Sequence, residues 1–131
     1  MIAGVGHDLV RISRIERTLE RQGPRFMARC FTQAEIDHAE HHPARRAAAY
    51  AKAFAAKEAC AKALGTGFRA GVAMGDIALI RDARGKPALM LSGTAQTRLA
   101  ALAPAGKTAR LHVTVTDEAG FAYVLVILEV T

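Results

Sequence analysis

The chain has 131 residues, and its 18 lysines and arginines exceed its 12 aspartates and glutamates, which gives a formal net charge of +6. With 51% hydrophobic and 23% charged residues the composition excludes an intrinsically disordered chain, and no apolar run approaches the ~20 residues that cross a bilayer. The N-terminus lacks the features of a secretory signal and the two cysteines are too few for a disulfide framework, so we expect one domain, residues 1–131, in a cytoplasmic setting.

The first predicted element is a strand over residues 2–10, where the two faces alternate with period two. One face carries Gly4, Gly6 and Asp8. A carboxylate on a partly apolar strand face loses hydration, which is costly unless a cation neutralises it. The two glycines leave space beside this carboxylate for another group to approach. The alternative is an edge-strand aspartate that simply faces water.

Two helices are predicted after this strand. The first begins near Ile12 and stops at the Gly23-Pro24 pair, ahead of a short apolar segment at 26–31. The pattern T-x-x-E from Thr32 to Glu35 is a capping box, which predicts a second helix from about residue 33.

The alanine-rich stretch 46–64 predicts a long helix that ends at a Gly65 cap. Glu58 and Lys62 are four residues apart and share one face of it, with Lys57 beside them. An exposed ion pair worth ~0.3–0.5 kcal/mol is the structural alternative. The surrounding alanines instead favour a site inside a groove. Two carboxylates from different elements with a lysine nearby suit Mg²⁺ and a phosphate group.

The second half of the sequence is dominated by strands. Two hairpins and one helix, which Ser92 can cap, are predicted there: strands 76–81 and 87–91, the helix through residue 102, and strands 111–116 and 121–130. The length and the valine and isoleucine content of the last two strands are typical of central antiparallel strands. The segregation of helices and strands predicts an α+β fold, with helices packed on one face of a mainly antiparallel sheet.

Six arginines lie between positions 11 and 29: Arg11, Arg14, Arg17, Arg21, Arg25 and Arg29. Four of them share one helix face, which indicates a surface for phosphate groups or for an acidic protein. A solvated basic face and a non-enzymatic nucleic-acid-binding module are the alternatives, although no aromatic residues for base stacking are interleaved. Histidines 38, 41 and 42, among acidic residues, are interpreted as an exposed helix face rather than a zinc site.

Several segments resemble the holo-acyl-carrier-protein synthases. G-V-G-H-D-L-V-R-I-S-R-I-E resembles the first motif of that family, and F-A-A-K-E-A-C-A-K-A-L-G-T-G resembles the second. R-G-K-P, L-H-V-T-V-T-D-E and A-Y-V-L-V-I-L-E resemble its later strands, so the resemblance covers essentially the whole chain. It implies the 4'-phosphopantetheinyl transferase fold and transfer of 4'-phosphopantetheine from coenzyme A to a serine of apo acyl carrier protein. A dedicated transferase for a polyketide or peptide synthase carrier fits the same motifs as fatty acid biosynthesis does.

The resemblance also implies roles for individual residues. Asp8 and Glu58 match the Mg²⁺ ligands and, with Lys62, the catalytic residues, and either Glu58 or a metal-bound water removes the proton of the serine. Residues that match coenzyme A contacts are Lys57, Lys62, Gly65, Thr66, Gly67 and His112. Residues that match the carrier-protein surface are Arg14, Arg21, Arg25, Phe26 and Arg29.

One departure from the family pattern affects the coenzyme A site. Ala53 stands where many members of the family have a basic residue, so Arg45 or Arg46 is expected to bind the 3'-phosphate instead. The family resemblance further implies a homotrimer with active sites between subunits, which agrees with the small core that 131 residues can build. No nucleic-acid or membrane partner is expected.

Overall fold

The long alanine-rich helix lies across one face of an antiparallel sheet, and the other helices flank it. The computed structural model describes all residues, 1–131. The elements in chain order are β1 (Ile2–Arg11), α1 (Ile12–Cys30), α2 (Gln33–Glu40), α3 (Arg46–Ala63), β2 (Ile77–Arg81), β3 (Pro87–Leu91), α4 (Gly93–Ala101), β4 (Ala109–Glu118) and β5 (Phe121–Val130). None of the helices combines the length and the apolar character that crossing a bilayer requires.

The strands form two sheets. β5 lies between β1 and β4 in a three-stranded antiparallel sheet, while β2 and β3 pair only with each other. The predicted α+β class is therefore confirmed, but the single sheet was wrong. β4 was expected to be central and is an edge strand, because no strand pairs with its side away from β5. β1 and β4 thus form the two edges of the main sheet.

The segment after Gly23 differs from its prediction. Gly23 has φ 32° and ψ −114°, so the helix is interrupted there as expected. Pro24 does not end the helical region, because proline is well suited to a first helical turn, and a second helical segment continues to Cys30. The apolar residues 26–31 were expected to be a separate short segment. They form this second helical segment and its end, and they bury Phe26 and Cys30 against the core.

The predicted helix and hairpin ends are largely confirmed. Thr32 and Glu35 make both hydrogen bonds of the capping box at the start of α2. Gly65, with φ 80°, lies after the last turn of α3, and its N–H bonds the carbonyl of Lys62. Ser92 precedes α4, but its side chain makes no capping hydrogen bond.

Two glycines bring β1 into direct contact with α3. A Cβ on Gly6 would overlap the carbonyl oxygen of Ala59, and one on Gly4 would overlap that of Ala63. The space that the sequence indicated beside Asp8 is therefore filled by helix backbone. The strand and the helix are in close contact as a result, and this contact sets how near residues of the last turns of α3 come to Asp8.

Candidate active site at the β1–α3 junction

Asp8 and Lys62 meet where β1 crosses the C-terminal half of α3. The Nζ of Lys62 lies 3.3 Å from Oδ1 of Asp8 and donates a hydrogen bond of 3.0 Å to the carbonyl oxygen of His7. The Asp8 side chain is only 17% exposed, whereas that of Lys62 is 51% exposed. The ammonium therefore approaches a largely buried carboxylate from the solvent side.

Glu58 lies one helical turn before Lys62, on the same face of α3. Its side chain forms no salt bridge. Burial raises the pKa of the Glu58 carboxyl above its usual value, and the negative charge of Asp8 raises it further, while Lys62 and Arg14 oppose the shift. The structure thus brings Asp8, Glu58 and Lys62 together, with Arg14 at their side.

The glycine-rich turn after α3 borders this junction. The N–H of Gly67 bonds the carbonyl of Ala61, and the Thr66 hydroxyl donates to the carbonyl of Gly67. Arg98 of α4 donates from Nε to the carbonyl of Leu64, which satisfies one of the free carbonyls at the end of the helix. The sequence did not indicate this role for Arg98, because the contact joins positions that are 34 residues apart.

Lys57 is not part of this junction, contrary to the expectation that it binds coenzyme A. Its side chain is fully buried and donates hydrogen bonds to Glu35 Oε1, at 2.6 Å, and to the carbonyl of Ile77. One residue along a helix turns the side chain by ~100°, so Lys57 enters the core while Glu58 remains at the surface. Burial lowers the pKa of the Lys57 amine, and Glu35 opposes that shift.

Glu35 is the buried acid that the sequence did not reveal. It was interpreted as part of an exposed helix face, yet its carboxylate also accepts the backbone N–H groups of Thr32 and Leu79. With Lys57 it joins α2, α3 and β2 in one buried polar cluster. The capping box placed Glu35 at the start of α2 and was the only sequence signal that its carboxylate turns back toward the backbone.

The arginines of α1 are exposed, and of these Arg14 acts electrostatically on Glu58, while Arg25 and Arg29 follow the break at Gly23. Arg14, Arg21, Arg25 and Arg29 are all exposed, and none forms a salt bridge. Phe26, expected to be an apolar contact on this surface, is 3% exposed and packs edge-on against Phe31. The surface is therefore basic, without the phenylalanine.

The residues around Ala53 lie on another side of α3. Ala53 and Lys62 are nine positions apart in the helix, about two and a half turns, so they face opposite ways. Arg45 lines a cavity with Ala53, and its guanidinium pairs with Asp117 of β4 at 2.8 Å. Lys52 pairs with the same carboxylate at 2.6 Å.

Arg46 does not line the cavity beside Ala53. It pairs with Glu40 at 2.7 Å and lies over the Tyr50 ring. Of the two arginines expected to bind the 3'-phosphate, only Arg45 is therefore adjacent to Ala53.

His112 lies on the opposite face of the sheet from Asp8. It pairs in register with Ile127 on β5, whereas Asp8 pairs with Val124, and residues an odd number apart on a strand point to opposite faces. The ring of His112 is exposed and is 3.1 Å from Glu129. Within one chain, His112 and the acidic pair therefore do not meet.

The chain is thus a small α+β protein with an acidic pair and a lysine where its first strand meets its long helix. The 4'-phosphopantetheinyl transferase superfamily model matches residues 4–116, and the chain belongs to that superfamily. A holo-[acyl-carrier-protein] synthase from Beijerinckia indica is 54% identical over 98% of this chain and 91% of its own length. One from Granulibacter bethesdensis is 50% identical over 98% and 89%.

Solved structures agree with this assignment. A holo-[acyl-carrier-protein] synthase from Neisseria meningitidis superposes with a TM-score of 0.84 at 34% identity, over 98% of this chain and 99% of its own. One from Helicobacter pylori, solved in complex with coenzyme A, has a TM-score of 0.80 at 27% identity over 95% and 99%. Both the family resemblance and the fold expected from the motifs are confirmed.

Proposed function

We propose that this protein is a holo-acyl-carrier-protein synthase that transfers 4'-phosphopantetheine from coenzyme A to a serine of apo acyl carrier protein. The observation that carries the proposal is the convergence of Asp8, Glu58 and Lys62 at the β1–α3 junction. The names of the similar proteins supply the carrier protein and coenzyme A as substrates. The product beside the holo carrier is adenosine 3',5'-bisphosphate.

The donor set at the junction fits Mg²⁺. Asp8 and Glu58 offer carboxylate oxygens, the ligand type that Mg²⁺ prefers. In proteins this ion is commonly bound by one or two carboxylates, and water and substrate phosphates fill its other coordination positions. Burial raises the pKa of Glu58 and the negative charge of Asp8 raises it further, so a cation beside the two carboxylates would stabilise their ionised forms. A bound Mg²⁺ would supply charge neutralisation for the diphosphate of the donor.

The remaining steps use residues of the chain itself. The oxygen of the carrier serine attacks the phosphorus that bears pantetheine, and the bond from that phosphorus to the bridging oxygen breaks, so the leaving group is adenosine 3',5'-bisphosphate. Lys62, half exposed beside Asp8, stabilises the negative charge that develops on the phosphate oxygens. Glu58, whose carboxylate forms no salt bridge, is the side chain of the site assigned to take the serine proton.

The arginine surface of α1 supplies a docking site for the acidic carrier protein. Arg14, Arg21 and Arg25 form no salt bridge with an acidic side chain of the chain, and neither does Arg29. Arg14 also acts electrostatically on Glu58, so a carrier bound on this surface lies next to the acidic pair.

We propose a homotrimer with each active site completed by a neighbouring subunit. The sheet face away from α3 leaves Val5 55% exposed, Leu9 60% and Tyr123 37%, which is apolar surface that a second copy can cover. Asp8 lies on one edge strand of the sheet, and His112 lies on the other. A coenzyme A molecule that contacts both Asp8 and His112 therefore bridges two subunits. In the same arrangement it contacts Gly65, Thr66 or Gly67 of one subunit and Arg45 of the next.

The proposed setting is fatty acid biosynthesis in the cytoplasm. The support is the acyl carrier protein in the names of the similar proteins, together with two buried free cysteines, Cys30 and Cys60. Burial raises the pKa of the Cys60 thiol to about 12, which makes it an inert core residue.

The direct test is to incubate the protein with coenzyme A, Mg²⁺ and an apo acyl carrier protein, and to weigh the carrier by mass spectrometry. We expect the carrier mass to increase by one phosphopantetheine group, and the increase to stop when the divalent ion is chelated. An unchanged mass for fatty acid, polyketide and peptide carriers alike would refute the proposal.

A gel shift with nucleic acid at two salt concentrations tests the rival hypothesis of a basic nucleic-acid-binding module. That hypothesis predicts Mg²⁺-independent binding that weakens as salt rises.

A further inference from the structure

The turn formed by residues 65–67 follows the helix that carries Glu58 and Lys62. Gly65 and Gly67 have positive φ angles of 80° and 57°, and glycine loses more conformational freedom than any other residue when it is fixed. Two N–H groups of the turn bond carbonyls of α3, and the Thr66 hydroxyl donates to the carbonyl of Gly67. None of these hydrogen bonds joins the turn to an element other than α3. A contact from another element is therefore needed to fix the turn relative to the rest of the fold.

Arg98 of α4 supplies this contact. Its Nε donates a hydrogen bond of 3.0 Å to the carbonyl of Leu64, the residue directly before the turn. Its Nη2 lies 3.5 Å from the position that a Cβ on Gly65 would take, so the guanidinium also covers the first residue of the turn. Leu64 is only 1% exposed, so its carbonyl is removed from water and needs a donor within the protein.

The helix that carries Arg98 is itself anchored. Ala95 and Leu99 bury one face of α4 in the core, and the N–H of Ser92, directly before the helix, bonds the carbonyl of Asp76. Arg98 forms no salt bridge, and the bond to Leu64 is the one hydrogen bond of its side chain. The polar contact of Arg98 is thus devoted to the end of α3 and the turn that follows it.

We propose that Arg98 is a positioning residue for coenzyme A, which acts through the Leu64 carbonyl to hold the 65–67 turn in the conformation that binds this donor. The inference rests on the proposed function, in which coenzyme A contacts this turn. A ligand binds more weakly when the conformation that it requires is only partly populated. Loss of the anchor should therefore weaken coenzyme A binding and leave the chemical step at the β1–α3 junction nearly unchanged.

Two variants of the full chain test this role. Arg98→Met removes both the hydrogen bond and the charge at similar length. Arg98→Gln removes the charge but keeps a donor, since Nε2 of glutamine is as far along the side chain as Nε of arginine. We expect Arg98→Met to raise the Kd of coenzyme A, measured by calorimetry, and its KM about 10-fold, with kcat and the KM for carrier within about 2-fold of wild type. Arg98→Gln should stay within about 3-fold of wild type in both constants.

Gln96→Met and Lys107→Met are the matched controls. Gln96 is an exposed residue of α4, and Lys107 is an exposed cation in the loop after it. The first control changes the surface of the same helix, and the second removes a positive charge nearby in the sequence. Both should reproduce the wild-type Kd and KM for coenzyme A.

Three results would overturn the inference. The first is equal affinity of Arg98→Met and wild type for coenzyme A. The second is a fall in kcat at unchanged KM, because a smaller folded fraction, and not a displaced turn, has that effect. The third is an Arg98→Gln variant as weak as Arg98→Met, because the donor would then depend on the charge of the guanidinium and not on its bond to Leu64.

A measurement on wild type does not depend on whether the variants fold. Coupling between two equilibria is reciprocal, so if the Arg98–Leu64 bond favours coenzyme A binding about 10-fold, bound coenzyme A favours the bond by the same factor. Solvent exchange of the Nε–H of Arg98, followed by NMR, should therefore slow about 10-fold when coenzyme A is added. Unchanged exchange in the presence of bound coenzyme A would refute the role of Arg98.

The carrier modification assay keeps the two proposals apart. Normal transfer with equal coenzyme A affinity in all variants refutes only the role of Arg98. Binding of coenzyme A that depends on Arg98, without transfer to any carrier, refutes only the transferase activity. Wild type that does not bind coenzyme A refutes both.

Discussion

The ammonium of Lys62 lies 3.3 Å from the carboxylate of Asp8, although the two residues are 54 positions apart in the sequence. Their contact depends on how closely α3 lies on β1. Gly6 permits this approach, because only a residue without a Cβ fits against the carbonyl of Ala59. Close packing of the β1 and α3 backbones at Gly6 and Ala59 therefore holds the candidate active site together.

Replacement of Glu58 by glutamine should abolish carrier modification while it leaves the fold intact. The change removes one negative charge and the proton acceptor at nearly constant volume, so we expect a loss of roughly 100-fold or more in turnover. Modified carrier is quantified by mass spectrometry, and chemical unfolding measures stability. Glu20→Gln, at an exposed position of α1, is the control and should remain active. Near-normal turnover of Glu58→Gln would remove this residue from the mechanism.

Gly6→Ala tests the packing of β1 against α3. The new Cβ collides with helix backbone rather than with a flexible side chain, so the strand and the helix must separate. We expect a loss of about 3 kcal/mol in the free energy of unfolding, measured in urea, together with weaker transfer activity.

The control for this variant is Gly75→Ala, since a Cβ at that position has no heavy atom within 4 Å. It should change the free energy of unfolding by less than about 0.5 kcal/mol. Equal stability of the two variants would show that the glycine contact is not what limits the distance between the strand and the helix.

The buried pair of Lys57 and Glu35 should behave as a coupled unit. Lys57→Met leaves an unpaired carboxylate in the core and should cost about 3–5 kcal/mol of stability. Adding Glu35→Gln to that variant removes the unpaired charge and should recover part of the loss. A double-mutant cycle from urea unfolding measures the coupling, and strictly additive losses would contradict it.

Charge reversal on the α1 surface should weaken carrier binding selectively. We expect Arg21→Glu to raise the KM for apo carrier about 10-fold, with little change in kcat, because docking and not chemistry uses this charge. The effect should shrink as salt is added. Arg84→Glu reverses an exposed charge in the turn between β2 and β3 and is the matched control. The same KM for both variants would place the carrier elsewhere.

Local patterns in the sequence predicted most of the elements correctly. The Thr32–Glu35 capping box and the alanine-rich helix were confirmed, because helix caps and helix propensity act over a few residues. The hairpin of β2 and β3 was predicted, but its separation from the main sheet was missed, since strand alternation does not say which hairpins become neighbours. Helix continuation beyond Gly23 was missed because the glycine and proline signals mark a break without indicating whether the helix resumes after it.

The sequence by itself determined the family and most of the element types, and its motifs singled out Asp8, Glu58 and Lys62 as candidate site residues. Only the tertiary structure decided which charged neighbours turn inward. Lys57 and Glu35 form a buried pair, while His38 and His42 line a basic cavity, and both outcomes depend on the packing of α2 against α3. Packing between elements depends on residues far apart in the sequence. The spacing of residues along one helix therefore does not indicate which element covers each of its faces.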